Sequence, residues 1–457
     1  MKRSLPLRIF IVCFIVICAV PGALAPFVQS GATKEELSSF PEFIEDGKYN
    51  INFFREFDTW FSEHFAFRAQ LVTVRSLMIG KVFKTSADAD VIMGSNDMLY
   101  YTPTADDYLD TDLLSDAAIA NLGHTLRLIQ SYCAENGATF VFTMAPDKPS
   151  IYPEYMPKYF RVSGDEGNAE RLAKELADDN LYCNLIEELT NVKANVSEPI
   201  WHTTDSHWNN ISALAARNAL VRMLPDTGRR DIFKDVKWEK RLEWQGDLAE
   251  MLYPSAVPLD DQYYTDFDFT YRTLGLFNGL DDPLIDTECD GVDGGLLMFR
   301  DSFGETLLPF MAETFGKAEF SRLVPYSLFE LTGYNAVVIE MGERNLPLFY
   351  NMSPRIPAPR AQKTPVDAAP LGEGEFTVYT EQAGAYTHVC GNLTDECEFP
   401  ADVPAVFYVT IGGVTYEAFT SCETELTGVN YSDGVPCYSV YVPGEVDTSS
   451  ISVAVLF

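Results

Sequence analysis

A chain of 457 residues with 67 acidic against 33 basic side chains carries a formal net charge of −34. That charge repels nucleic acid and anionic lipid surfaces, so neither is expected as a main partner. Hydrophobic residues at 47% and aromatics at 13% exclude a disordered chain, and the length exceeds what one hydrophobic core usually serves, so more than one domain is expected.

The N-terminus breaks the acidic rule. Lys2, Arg3 and Arg8 precede an apolar run over residues 9–20, and no charge follows through residue 28. Residues 1–30 therefore read as a signal peptide or an N-terminal membrane anchor, which places the remainder outside the cytoplasm. Ala23-Leu24-Ala25 resembles a small-residue cleavage site, but Pro26 follows it directly. The uncharged stretch reaches the ~20 residues a spanning helix needs, which favours the anchor. Of the nine cysteines, Cys13 and Cys18 lie in this leader, while Cys390, Cys397, Cys422 and Cys437 cluster near the end. None has metal-binding CxxC spacing. In an exported chain the last four are expected either as two disulfides of undetermined pairing or as buried thiols.

Next come Phe53-Phe54-Arg55-Glu56-Phe57-Asp58-Thr59-Trp60-Phe61 and Phe65-Ala66-Phe67-Arg68, whose aromatics recur at three- and four-residue spacing and predict an amphipathic helix. Over residues 85–350, apolar strand candidates at 139–145, 294–299 and 336–341 are separated by helical stretches such as 117–136 and 169–178. That alternation predicts an α/β fold with a largely parallel sheet. Residues 353–375 are rich in proline and alanine and read as a semi-rigid linker. Beyond it, residues 376–457 show short β-rich runs at 403–411, 415–419 and 438–442 with turn residues between them, predicting a small β-sandwich-like module. The expected organisation is thus a leader, a catalytic domain over 31–352, the linker, and the module. No internal repeat is evident, which excludes solenoids and propellers.

Two segments carry chemistry. In Trp201-His202-Thr203-Thr204-Asp205-Ser206-His207-Trp208-Asn209-Asn210, Asp205 and His207 stand two apart. In an extended segment that spacing points both side chains to one face, where a carboxylate orients an imidazole. Asn209 or Asn210 is placed to cap the helix that follows, and a helix N-terminus beside an imidazole favours the neutral form a general base needs. The second segment, Gly294-Gly295-Leu296-Leu297-Met298-Phe299-Arg300-Asp301-Ser302-Phe303-Gly304-Glu305-Thr306, is an apolar strand that breaks sharply into a helical stretch. Ser302 sits at the break, where a strand–turn–helix presents its hydroxyl beside helix-terminal N–H groups.

The Asp-x-His-Trp segment and the later Asp-Ser-Phe-Gly turn resemble the SGNH-hydrolase-like DHHW proteins and the related alginate O-acetylation proteins. Residues 65–68, Gly-Ser-Asn-Asp-Met-Leu-Tyr-Tyr at 94–101 and Pro-Asp-Lys-Pro-Ser-Ile-Tyr-Pro-Glu-Tyr-Met-Pro at 146–157 fit the same pattern, which spans much of residues 50–350. The resemblance implies a flavodoxin-like SGNH fold and a serine nucleophile with a histidine base and an aspartate orienter, carried onto Ser302, His207 and Asp205. It further implies acetyl transfer to, or removal from, a cell-surface polysaccharide, with no soluble cofactor and a membrane-bound O-acyltransferase as donor. Ser206, Met98 and Arg300 depart from the family pattern. Arg300 bears on the shape of the oxyanion turn.

Other residues are weaker candidates. Lys148 and Tyr152 follow a strand end and are candidate groove residues, and Arg344 lies where open α/β sheets place ligand contacts. His202, Asp205 and His207 form a rival metal set, lacking a visible fourth ligand. Gly94-Ser95-Asn96-Asp97 imitates the Gly-x-Asn-Asp block of ordinary SGNH esterases but reads better as a turn. Tyr408, Tyr416 and Tyr431 are candidate glycan contacts in the β module. The function expected is polysaccharide O-acetylation. An acetylesterase of the same fold and a catalytically silent glycan-binding protein are the alternatives.

Overall fold

The computed structural model describes residues 4–24, 38–45, 47–160, 164, 166–361, 365, 367–400, 402–430 and 433–457. The chain forms two compact units. One comprises Met1–Thr102, Thr203–Ser206 and Leu242–Asp261; the other comprises Pro103–His202, His207–Arg241 and Gln262–Phe457.

The first unit opens with α1 (Ser4–Leu24), whose 21 residues run about 30 Å at the α-helical rise. The side chains of residues 4, 5, 17, 18, 21 and 22 lie outside the described set, as do residues 25 and 26 of the expected cleavage site. Over the described residues, no helix is both long and apolar enough to cross a membrane. The aromatic segment forms two helices rather than one: α2 (Phe53–Glu63) and α3 (Arg68–Phe83). The break falls at Phe67, whose φ of 66° is left-handed and cannot continue a right-handed helix. The aromatic rings of α2 pack chiefly on one another and on Phe40, Phe40 to Trp60 at 4.9 Å and Phe57 to Phe61 at 6.1 Å. A hairpin of β1 (Val91–Met93) and β2 (Leu99–Tyr101) then packs Val91 and Leu99 against Leu248, Ala249 and Leu252 of a short helix. Its turn is the Gly94–Asp97 tetrapeptide, with exposed Asn96 and Asp97 at φ of 55° and 59°. Consecutive left-handed residues are what a tight two-residue hairpin demands, and Asn and Asp tolerate them, so this block serves the turn.

The second unit is built on α4 (Asp116–Glu135), β3 (Thr139–Ala145), β4 (Tyr182–Cys183), α5 (Leu185–Asn195), α6 (Asn210–Met223), β5 (Arg272–Leu274), β6 (Leu284–Glu288), β7 (Gly295–Phe299), α7 (Phe303–Ala312), β8 (Lys317–Ser321) and β9 (Ala336–Gly342). The strands form one sheet in the order β4-β3-β9-β7-β8-β6-β5. The first five are mutually parallel; β6 and β5 extend the edge antiparallel. β3, β7 and β9 are almost wholly buried, which is why they read as unbroken apolar runs rather than alternating ones. Gly295 faces the Gly333 carbonyl so closely that any Cβ would stand 2.0 Å from the oxygen.

The expected β-sandwich-like module appears as two antiparallel sheets. One is β10 (Ala369–Pro370), β13 (Val406–Ile411), β14 (Val414–Glu417) and β16 (Ser452–Leu456); the other is β11 (Tyr379–Ala383), β12 (Tyr386–Asn392) and β15 (Cys437–Pro443). Val389, Phe407, Val409, Tyr438, Val440, Val453 and Val455 form the core between them. The stretch expected as a linker is stitched to this module over its described part. Ser353 and Ile356 are fully buried, Ser353 N–H donates to Glu423, and Ala358 and Ala361 donate to the Tyr441 and Thr415 carbonyls. The module in turn shares the core of the α/β part through Phe419, Cys422 and Cys437. Composition did not show that the segment would be docked. Cys390, Cys397, Cys422 and Cys437 are buried thiols here, not disulfides. Burial pushes the Cys390 thiol up to about 12. Tyr431 lies outside the described residues.

Candidate active site

Ser302 follows the carboxyl end of β7, next to the carboxyl ends of β9 and β3, and stands at the N-terminus of α7. Open parallel sheets bind ligands at this edge. Its φ of −69° and ψ of −26° are ordinary right-handed values, so the serine is presented without backbone strain. The preceding Asp301 shapes the turn: Oδ1 accepts from Phe303 N–H at 2.9 Å, and Oδ2 from Gly342 N–H at 2.6 Å. One carboxylate thus ties the start of α7 to the end of the neighbouring strand. The same bond engages the Phe303 amide, one of the helix-terminal groups expected for an oxyanion. Gly304 is required for room, because a Cβ there would meet Arg300 Cβ at 2.5 Å. Arg300 itself is buried and donates to the Leu280, Asp282 and Asp301 carbonyls. Those bonds brace the turn from beneath. Beneath it, burial and then the charge of Asp301 hold Glu340 well above the usual carboxylate range.

His207 Nε2 lies 2.9 Å from Ser302 Oγ, and both residues are partly exposed. The imidazole rests against Phe303 at 5.0 Å between centroids. Its neighbour Trp208 is buried, bridges to Trp201 in a short antiparallel pair, and donates its indole N–H to the Phe303 carbonyl at 3.0 Å. Asn209 caps α6 by accepting from Ile211 N–H at 2.9 Å. The sequence around His207 therefore pins both sides of the histidine, through a cap and through a buried tryptophan.

Residues 203–207 are bent rather than extended, so the expected alternation along a strand is not how this segment is arranged. Within the first unit, Asp205 is buried, and its Oδ2 accepts from Trp244 Nε1–H at 2.9 Å and from Asp247 N–H at 3.2 Å. Asp247 also receives Ser206 N–H at 2.7 Å and the Ser206 hydroxyl at 2.5 Å. Trp244 and Asp247 were missed in the sequence because they lie some forty residues from the motif, in a segment without a recognisable pattern. Gly246 sits between them, and a Cβ on it would stand 2.3 Å from the Thr204 carbonyl oxygen. Gly246→Ala should therefore cost about 1–3 kcal/mol. It should also lower turnover by shifting Thr204-Asp205, as a thermal melt and an esterase assay on the same sample will read.

Arg344 pairs with Asp147, through Nη1 at 2.5 Å and its backbone N–H at 3.1 Å, with its guanidinium 5.8 Å from the Phe303 ring. The partner is Asp147, beyond β3, rather than the sequence-near Glu340 or Glu343. Asp147 belongs to a cluster with Asp107 and Glu343, whose carboxylate oxygens lie within 4.8 Å of one another. Glu343 accepts Asp147 N–H at 2.8 Å and Ser150 Oγ–H at 2.7 Å. Burial pushes all three up, Asp107 to about 7. Lys148, a candidate groove residue, is buried. Tyr152 is structural: its hydroxyl accepts Ile200 N–H at 3.0 Å and its ring packs on Tyr155 and Trp201. His202 is buried with Nε2 3.4 Å from Gln262 Nε2, and among the described residues no cluster of ligating atoms includes it.

A second serine–histidine pair shows what distinguishes the first. In the β module, His388 Nε2 is 2.8 Å from Ser439 Oγ and 3.9 Å from Glu423. Yet Ser439 is 0% exposed and His388 3%, with the imidazole stacked 4.3 Å on Tyr441. Burial holds this histidine down at about 4. A hydroxyl sealed from solvent cannot meet a substrate, so this is a buried polar network. Tyr408 and Tyr416 of the same module are also buried.

Residues 91–279 match the family model described as "SGNH hydrolase-like domain, acetyltransferase AlgX". The matched stretch contains Asp205 and His207 and ends before Ser302. No curated protein matches the sequence. Among solved structures, Bacillus cereus PatB1 with a sulfonyl adduct is 15% identical with a TM-score of 0.44, covering 56% of this chain and 94% of that one. A DHHW family protein from Eubacterium siraeum is 15% identical at 0.38, over 56% and 94%. Pseudomonas aeruginosa AlgX is 12% identical at 0.38, over 85% and 97%. At such scores the assignment rests on the family model and on the parallel sheet that carries Ser302. Residues 91–279 are thus similar to the SGNH hydrolase-like domain of the AlgX acetyltransferases.

Proposed function

We propose that this protein is an extracytoplasmic O-acetyltransferase that moves an acetyl group onto a polysaccharide hydroxyl through Ser302, His207 and Asp205. The observation that carries the reading is the 2.9 Å approach of His207 Nε2 to Ser302 Oγ at a partly exposed strand–helix turn. His207 takes the Ser302 proton as Oγ attacks the acetyl carbonyl. The tetrahedral adduct collapses, His207 returns the proton to the departing donor oxygen, and an acetyl-serine remains. An acceptor hydroxyl then gives its proton to His207 and attacks the ester, and as the acetylated acceptor leaves, His207 returns that proton to Ser302 Oγ. Asp205, two residues before His207 and fixed by Trp244 and Asp247, is the group that orients the imidazole. No step draws on a soluble cofactor. The donor is a membrane-bound O-acyltransferase, and residues 1–30 serve as export signal or retained anchor, which keeps the enzyme at that membrane.

The test incubates the protein with a chromogenic acetyl ester, with and without oligosaccharide acceptors, and follows product by mass spectrometry. Acetylated oligosaccharide above the hydrolysis background is the expected result. Free acetate in the same amount whatever the acceptor makes the protein an acetylesterase instead.

A further inference from the structure

α3 is built inside out. Its protein-facing side carries small or polar residues, Ala69, Thr73 and Ser76, all buried, with Thr73 Oγ1 accepting from Ser255 N–H at 3.1 Å. Its other side exposes Leu71 at 49%, Val74 at 53%, Met78 at 62% and Val82 at 67%. At the α-helical repeat of about 100° per residue these four form one stripe, nearly opposite the packed side. Lys81 flanks the stripe on one edge, Arg75 and Arg68 on the other. A water-soluble helix would place these residues the other way round, and a contiguous exposed apolar stripe marks a contact surface.

The charge identifies the occupant. Residues 64–86 contain Arg68, Arg75, Lys81 and Lys84 and no acidic side chain, in a chain whose net charge is −34. Arg75 holds its guanidinium against the Ala87 carbonyl at 2.7 Å, which leaves its positive charge at the rim of the stripe. We propose that α3 lies on an anionic phospholipid surface, with Leu71, Val74, Met78 and Val82 entering the acyl boundary and the flanking cations meeting phosphate. Apolar side chains edged by long cations are how interfacial helices bind such surfaces. The net charge, which sets the whole chain against anionic lipid, conceals a local face of opposite sign. This surface is independent of the chemistry at Ser302, and α1, in the same unit, is the apolar helix that would bring the chain to a bilayer.

The test reconstitutes the full chain, with Cys13 and Cys18 replaced by serine, into vesicles containing doxyl-labelled lipid. A bimane probe is attached at Met78→Cys or, as a solvent control, at Asp178→Cys. The probe at 78 should be quenched in phosphatidylglycerol vesicles while that at 178 is not. The quenching should fall by about half or more in pure phosphatidylcholine, or when Lys81→Glu and Lys84→Glu are added. Equal quenching at the two sites, or quenching at 78 that ignores lipid charge, would overturn the proposal. Protection of position 78 that grows with protein concentration in neutral detergent would assign the stripe to a second copy of this chain instead.

Discussion

Ser302→Ala should lower turnover of a chromogenic acetyl ester by roughly 10³-fold or more, leaving the melting temperature of the parent nearly unchanged. The two halves of this expectation come from different facts. Ser302 Oγ is 2.9 Å from His207 Nε2, and on the proposed mechanism its loss removes the acyl-enzyme route. Its backbone geometry is unstrained, and the turn is held by Asp301 and Gly304, so removing one oxygen costs little stability. A serine-directed fluorophosphonate should label the parent once and the variant not at all. A Ser302→Ala protein that still turns over ester at the parental rate would remove Ser302 from the mechanism. A variant that melts many degrees lower would instead show that the hydroxyl supports the fold.

The second large effect is on stability, and it follows from the carboxylate cluster of Asp107, Asp147 and Glu343. All three are raised by burial, Asp147 against the opposing charge of its counter-ion Arg344, and Asp107 and Glu343 further by neighbouring carboxylates. A carboxyl whose folded pKa lies above its unfolded one contributes stability that is fully present below the ordinary carboxyl range near 4. That stability is lost as pH rises through the folded value, about 7 for Asp107. Thermal stability should therefore decline as pH rises from about 4 to about 7, by a few kcal/mol in all. Glu343→Gln should flatten that decline. The glutamine keeps an acceptor for Asp147 N–H and Ser150 Oγ–H, and it offers a donor to Asp107 where the parent has a competing acid. Melting curves across this range will decide: a parental stability that rises with pH, or a Glu343→Gln protein as pH-sensitive as the parent, would remove the cluster as the cause.

Much of this protein was legible in its sequence because the signals concerned were local. The buried parallel strands β3, β7 and β9 were visible as unbroken apolar runs, since a strand covered on both faces needs no alternation. The break after Phe299 marked Ser302, and an Asn before an apolar helical pattern marked the start of α6. The aromatic segment was harder. Spacing showed that it was helical and amphipathic, but not that Phe67 would turn left-handed and divide it, nor that α3 would face its apolar side outward.

What the sequence could not carry are relations between distant segments whose partners have no pattern of their own. Asp-x-His is two residues of spacing. That the imidazole meets a serine ninety-five positions later depends on α7 and α6 packing in one unit, with Trp208 and His207 against Phe303. Arg344 was readable as a cation at a strand end, but its partner Asp147 is set by the register of β9 on β3. Lys148 read as a groove candidate and is buried; Arg300 read as a departure in the oxyanion turn, and its carbonyl bonds brace that turn from beneath. Ser302–His207 and Ser439–His388 have nearly the same atomic separation, and only their burial separates a site from a core. Composition and pattern thus determined the α/β class and the β-rich C-terminal region, because each is written within a few turns of chain. Tertiary structure alone decided which of those residues meet, which are sealed away and which face of α3 is bare, because burial and long-range pairing are properties of the packed chain.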